Sequence, residues 1–213
     1  LICGDVGFGK TEVALRTSFI LANSGYQVAL VAPTTILVKQ HYKSFSERFK
    51  TTSLNISSLS RMTSLKDRNK IKNDLKTGEV NIVIGTHALL SNDVDFNNLG
   101  LLIIDEEQHF GVAQKEKIKE LQGNIHVLTL SATPIPRTLQ LSLSGLKQLS
   151  LITTPPVNRL SIRTFVLEWD KVVLLDALNR EKNRGGQTFI VCPRVKDIDS
   201  LYNRIKKMVP DLS

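Results

Sequence analysis

Short apolar runs alternate with amphipathic stretches along this chain, and the two patterns call for different elements. Residues 81–85 and 101–105 are brief apolar runs, as expected of strands covered on both faces. Residues 27–32 and 126–130 read the same way. Residues 54–59 and 149–153 read as weaker strands, and residues 1–3 as the tail of one. Residues 10–24, 35–49 and 64–76 instead carry apolar side chains at helical spacing, with Leu37, Phe45 and Phe49 on one side of the second stretch. Gly25 and Gly78 close the first and third of these helices. Strands alternating with helices predict an α/β fold in which a parallel sheet is covered by helices on both faces.

The rhythm breaks at Thr153-Thr154-Pro155-Pro156-Val157-Asn158-Arg159, because paired prolines suit neither a helix interior nor a central strand. A second unit then begins, with strands expected at 161–167 and 188–192 and helices at 170–183 and 196–208, around Gly185-Gly186. The expected division is therefore residues 1–156 as one lobe, and 157–213 as a linker and the N-terminal part of a second. Only three residues precede Gly4, and the second unit holds too few strands for a covered sheet. The chain is expected to be part of something longer.

The chemistry starts at Gly4-Asp5-Val6-Gly7-Phe8-Gly9-Lys10-Thr11, a full match to G-x-x-x-x-G-K-[ST] between a strand tail and a helix. Its glycines let the backbone curl so that successive N–H groups face phosphate oxygens. The following helix adds its positive N-terminal end. Lys10 would reach the β- and γ-phosphates and the Thr11 hydroxyl would ligate Mg²⁺. Leu101-Leu102-Ile103-Ile104-Asp105-Glu106 supplies a second requirement, an acid at a strand's C-terminal end, where ligands bind in open α/β sheets. Asp105 would hold the Mg²⁺ shell, and Glu106 would polarise the attacking water as general base. Ser131-Ala132-Thr133 follows another strand and gains its meaning from the order of the three motifs.

Composition changes this picture little. Of 213 residues, 41% are apolar and 23% charged, near the averages for soluble globular proteins. No apolar run approaches the roughly 20 residues that cross a bilayer, so no membrane partner is expected. Cys3 and Cys192 read as core residues in a reducing, cytoplasmic setting. The opening residues do not resemble a signal peptide. The net charge of +8 is compatible with a nucleic-acid partner without establishing one. Lys66, Arg68, Lys70, Lys72 and Lys76 are interrupted by Asp67 and Asp74, which favours a solvated helix face over a DNA groove. Trp169, between Glu168 and Asp170, reads as packed near the boundary rather than stacked on a base.

The order of these motifs resembles superfamily 2 helicases and DNA translocases, whose motor is two RecA-like lobes. Within that superfamily, GDVGFGKTEVALR, APTTILVKQHYKSF, IVIGTHALL, LGLLIIDEEQHFGVAQKEKIKEL, LTLSATPIPRTL and SGLKQLSLITTPP are similar to the translocase module of bacterial transcription-repair coupling factors. They span most of residues 1–156, and the remainder resembles the start of a second lobe. RecG-type branch-migration helicases share much of the pattern. The resemblance implies a RecA-like P-loop NTPase lobe using ATP and Mg²⁺ to drive movement on double-stranded DNA. RNA polymerase and UvrA would be partners through regions outside this chain. It implies DNA-backbone contacts at Thr34 and Thr35, with Gln40 and His41 after them, and at Gly85, Thr86 and His87. It makes Ser131 and Thr133 the link between nucleotide state and DNA grip. His109 stands where many members carry Arg. From the residues alone, Thr34, Thr35 and Thr86 read more readily as loop caps and turn residues. A nucleotide-gated binding module without hydrolysis is the competing class, and Glu106 argues against it.

Overall fold

The computed structural model describes residues 1–121, 123, 125–132, 148–156 and 162–210. It divides into two compact units, Leu1–Arg159 and Leu160–Ser213.

The first unit is built on seven parallel strands: β1 (Ile2–Gly4), β2 (Gln27–Val31), β3 (Ile56–Leu59), β4 (Ile82–Gly85), β5 (Leu99–Asp105), β6 (His126–Ser131) and β7 (Ser150–Ile152). They hydrogen-bond in the order β3-β4-β2-β5-β6-β1-β7. Helices α1 (Lys10–Asn23), α2 (Thr35–Arg48), α3 (Leu65–Thr77) and α4 (Val112–Leu121) connect them. The expected parallel sheet with covered faces is what forms.

Strand periodicity sorts the core into two layers. Along β2, Val28 and Leu30 join a cluster with Leu15, Val38 and Phe45 of α1 and α2. Ala29 and Val31, pointing the other way, join Leu75 and Ile118 of α3 and α4. Every residue of β2 is buried, because a helix layer lies on each face. Each buried aliphatic side chain of this kind contributes about 1.5–3 kcal/mol relative to leaving it in water.

Local signals terminate the helices where expected. The Thr34 side chain accepts a hydrogen bond from Leu37 N at 3.2 Å and so caps α2. Ser64 does the same for α3 from Asp67 N at 3.1 Å, and Gly78 ends that helix at φ 86°. Short 3-10 turns follow β4 (His87–Leu90) and β5 (Glu107–His109). These turns and α4 had no expectation in the sequence pattern. Among the described residues no helix is long and apolar enough to cross a membrane.

The second unit holds α5 (Lys171–Asn183) and α6 (Ile198–Met208). The Asp170 side chain caps α5 by accepting from Val172 N at 2.7 Å. The strands expected at 161–167 and 188–192 do not form among the described residues, and these stretches run without ladder partners. The apolar pattern is present, but a strand exists only through a hydrogen-bonded neighbour. Phe165, Val166, Phe189 and Val191 accordingly stand exposed. Trp169 carries the Arg204 guanidinium 4.3 Å from its ring centroid, so it packs against its own unit.

Candidate nucleotide site

Parallel strands place all their C-terminal ends on one edge of the sheet, and the predicted chemistry collects there. Gly4 ends β1, Ser131 ends β6 and Asp105 ends β5, in that spatial order. At about 4.8 Å per strand, the phosphate loop and Asp105 stand about 10 Å apart across the sheet.

The loop from Gly4 to Lys10 has the backbone its glycines foretell. Gly7 and Gly9 take φ values of 81° and 90°, and a side chain added at either would meet no atom within 4 Å. Both positions face open space, and the positive φ is what calls for glycine there, as a phosphate loop requires. Gly4 is held for another reason, since a Cβ there would lie 3.1 Å from Ile152 Cβ on β7. Asp5 points its Oδ1 back to accept from Val6 N at 2.7 Å. Phe8 N donates to Asp5 O at 3.1 Å, closing the turn.

No side chain caps the N-terminus of α1, where Gly9 is the N-cap. Glu12 N donates to Gly9 O at 2.9 Å, and no side chain serves the N–H groups of Lys10 and Thr11, which an anion would suit. Lys10 begins that helix and curls over the loop, with Nζ donating to Gly4 O at 2.7 Å and Asp5 O at 3.2 Å. Glu12 is the one acid in this first turn. Its carboxylate is drawn away by Arg16 (2.9 Å) and Arg48 (2.5 Å). The Arg16 hydrogen bond, with Arg48 assisting, holds that carboxyl below the usual range. Its charge therefore does not compete with a phosphate. Cys3, buried just before the loop, has its thiol pushed up by burial and behaves as a core side chain.

Asp105 closes β5 with only 8% of its surface exposed. The next residue, Glu106, is the one non-glycine residue with positive φ among those described, at φ 53° and ψ 55°. A side chain in the left-handed region costs about 1–3 kcal/mol unless its surroundings impose it. Two contacts impose it here. Glu106 N donates to Leu130 O at 3.0 Å, tying it to the end of β6, and the Gln108 side-chain amide donates to Glu106 Oε2. The left-handed turn takes Glu106 out of the line of β5, which ends at Asp105. The Thr11 hydroxyl and the Asp105 carboxylate are both hard oxygen donors at this edge, a set that suits Mg²⁺.

The remaining expected residues divide. Ser131 lies at the end of β6 between the loop and Asp105, while Thr133 falls outside the described residues. Thr34 is exposed, and Thr35 lines a groove of about 570 Å³ with Lys39, Tyr42, Ser57, Ser60 and Thr63. Gly85 is fixed by packing, since a Cβ there would lie 2.4 Å from Leu59 O. Thr86 is 3% exposed and its hydroxyl has no hydrogen-bond partner, so it is turned inward. His41, which the resemblance sets in the motif of Thr34 and Thr35, is buried and lies 2.8 Å from Asp105. Its spacing contained a signal: Val38, His41 and Phe45 recur at i, i+3 and i+7, the inward stripe of α2.

Comparisons with known proteins give the family. The family model described as DEAD/DEAH box helicase matches residues 1–142. The transcription-repair-coupling factor of Rickettsia prowazekii is 58% identical over all of this chain, which covers 19% of that relative. The same factor from Bacillus subtilis is 53% identical over 99% of the chain, covering 18% of its length. Among solved structures, RecG bound to a three-way DNA junction aligns with a TM-score of 0.77 at 36% identity. That alignment covers 98% of this chain and 28% of RecG. The chain thus spans about a fifth of the length of these curated relatives.

Proposed function

The chain belongs to the DEAD/DEAH box helicase family, and from that premise we propose that it is the ATP-binding core of a double-stranded DNA translocase. In the whole protein this motor would act in the cytoplasm on stalled RNA polymerase and recruit excision repair through UvrA. The observation that carries the reading is the edge shared by the uncapped phosphate loop, Asp105 and the upturned Glu106. The relatives that bear the name transcription-repair-coupling factor supply the biological context.

The residues divide the work of phosphoryl transfer between binding and proton removal. The loop N–H groups and the N-terminus of α1 bind the phosphate oxygens. Lys10 exchanges its two carbonyl partners for β- and γ-phosphate oxygens, where its charge opposes the negative charge that builds up in transfer. Thr11 and Asp105 would hold Mg²⁺, which when bound neutralises phosphate charge and orients the γ-phosphoryl group. Glu106, held by Leu130 O and Gln108, accepts the proton of the attacking water. Ser131 lies between loop and acid, placed to register which nucleotide is bound.

A RecG-type branch-migration helicase is the second reading, favoured by the 36% identity to a protein solved on a three-way junction. A nucleotide-gated module without hydrolysis fits less well, because it has no use for a braced carboxylate at Glu106. The domain division adds a further proposal: residues 157–213 are a linker and the opening of a second RecA-like lobe.

The test compares steady-state ATP turnover, with and without duplex DNA, in this chain and in a longer one carrying both lobes. The longer chain should hydrolyse ATP and be stimulated by DNA. The 213-residue chain tested alone should hydrolyse it negligibly, because an arginine supplied across the interface of two lobes is worth about 10³–10⁵ in rate. Its DNA binding should be weak and fall steeply with salt. Equal, DNA-stimulated rates in both would show that a second lobe does not complete the site.

A further inference from the structure

His41 has no part in the chemistry above, yet it is the side chain that grips the metal-holding carboxylate. Its Nε2 lies 2.8 Å from Asp105 Oδ2, joining α2 to the end of β5 across 64 positions of chain. The two side chains are only 7% and 12% exposed. An ionised carboxylate can only accept, so the imidazole donates through Nε2. In a helix, positions i, i+3 and i+7 share one face. The neighbours of His41 on that face are Val38 and Phe45, both within the apolar layer. Packing above and below leaves the ring little freedom to turn away. A carboxylate rotates easily about its last bond, so a fixed donor decides which oxygen is engaged and which is offered.

We propose that His41 is a positioning residue for the metal site: it engages Oδ2 of Asp105 and so presents Oδ1 towards the Mg²⁺ of the bound nucleotide. The inference rests on the ATPase reading given above. It assigns His41 to the nucleotide edge and not to the DNA-backbone contact that the resemblance implied for its motif. A tie between α2 and the sheet would need only packing, which leucine could supply. A buried imidazole aimed at the one acid at the end of β5 supplies direction as well. Partners of this kind, which orient a ligating group, typically change metal affinity or activity about 10–100-fold when removed.

Two substitutions separate direction from packing, made in the longer, ATP-hydrolysing protein. His41→Leu keeps an apolar side chain of similar bulk and removes the donor. His41→Gln retains an amide N–H of comparable reach. Mn²⁺ is the probe, and its binding to the protein–ADP complex is read by electron paramagnetic resonance. Binding of ADP itself is measured separately in EDTA. His41→Leu should weaken Mn²⁺ binding about 10–100-fold with metal-free ADP affinity close to the parent's. His41→Gln should recover most of that loss. In an Asp105→Asn background, His41→Leu should add nothing, because the two residues act as one unit. If the leucine variant fails to fold, His41→Asn, polar but one methylene too short, withdraws the donor instead and should show the same loss. Unchanged Mn²⁺ affinity in a folded donor-less variant would overturn the inference, as would a loss additive with Asp105→Asn. A parent protein without Mg²⁺-dependent turnover would overturn the ATPase reading itself, and this inference with it.

Discussion

Nucleotide binding should be lost when Lys10 is replaced by alanine. The ammonium group is the one cation that the loop itself brings over its open centre, where it rests on Gly4 O at 2.7 Å and Asp5 O at 3.2 Å. Those carbonyls hold it in place without matching the charge of a triphosphate. Each hydrogen bond to a charged group contributes about 1.5–3 kcal/mol. Two such bonds from Lys10 to phosphate oxygens correspond to about 10²–10⁴ in affinity, at 1.4 kcal/mol per decade. The variant should still fold, because the Lys10 head group lies at the edge of the sheet and its removal opens no cavity in either core layer. A fluorescent ATP analogue titrated into parent and variant, alongside their thermal melts, gives the answer. Equal affinities would remove the loop from the site.

Glu106→Gln should separate binding from hydrolysis. Glutamine has nearly the shape of glutamate, and its amide oxygen can still accept from Gln108, so the left-handed turn at φ 53° should persist. It has no carboxylate to take a proton. In the longer two-lobe protein, ATP affinity should stay near the parent's while turnover falls about 10²-fold or more, the scale of general-base catalysis. Single-turnover measurements would place the loss in the chemical step. Unchanged turnover would remove Glu106 from the mechanism.

How legible each feature was depended on the distance over which it is determined. The phosphate loop could be read directly, because the positive φ at Gly7 and Gly9 and the cradle they make are properties of eight consecutive residues. Asp105 was legible for a related reason: an uninterrupted apolar run implies a strand covered on both faces, and the acid that ends it must emerge at the ligand-binding edge. The bond from His41 to Asp105 joins positions 64 apart, and no local pattern states it. Only the inward stripe of α2 hinted that His41 was buried. Thr86 is the converse case. The resemblance gave it a DNA-backbone contact and the residues alone a cap or turn role, while the fold turns its hydroxyl into the protein. In the second unit, residues 161–167 and 188–192 have strand composition but no hydrogen-bonded neighbour among the described residues, and composition cannot provide one.

Movement along duplex DNA is the central claim, and displacement of a third strand tests it most directly. A triplex-forming oligonucleotide is annealed to a linear duplex away from any junction, and its release is followed after the two-lobe protein and ATP are added. The account predicts release that requires ATP and Mg²⁺, disappears with Lys10→Ala and Glu106→Gln, and needs no fork or branch in the DNA. DNA-stimulated ATP hydrolysis with no release from the linear duplex would contradict it. Release confined to branched DNA would contradict it too, and would move the chain to the branch-migration reading.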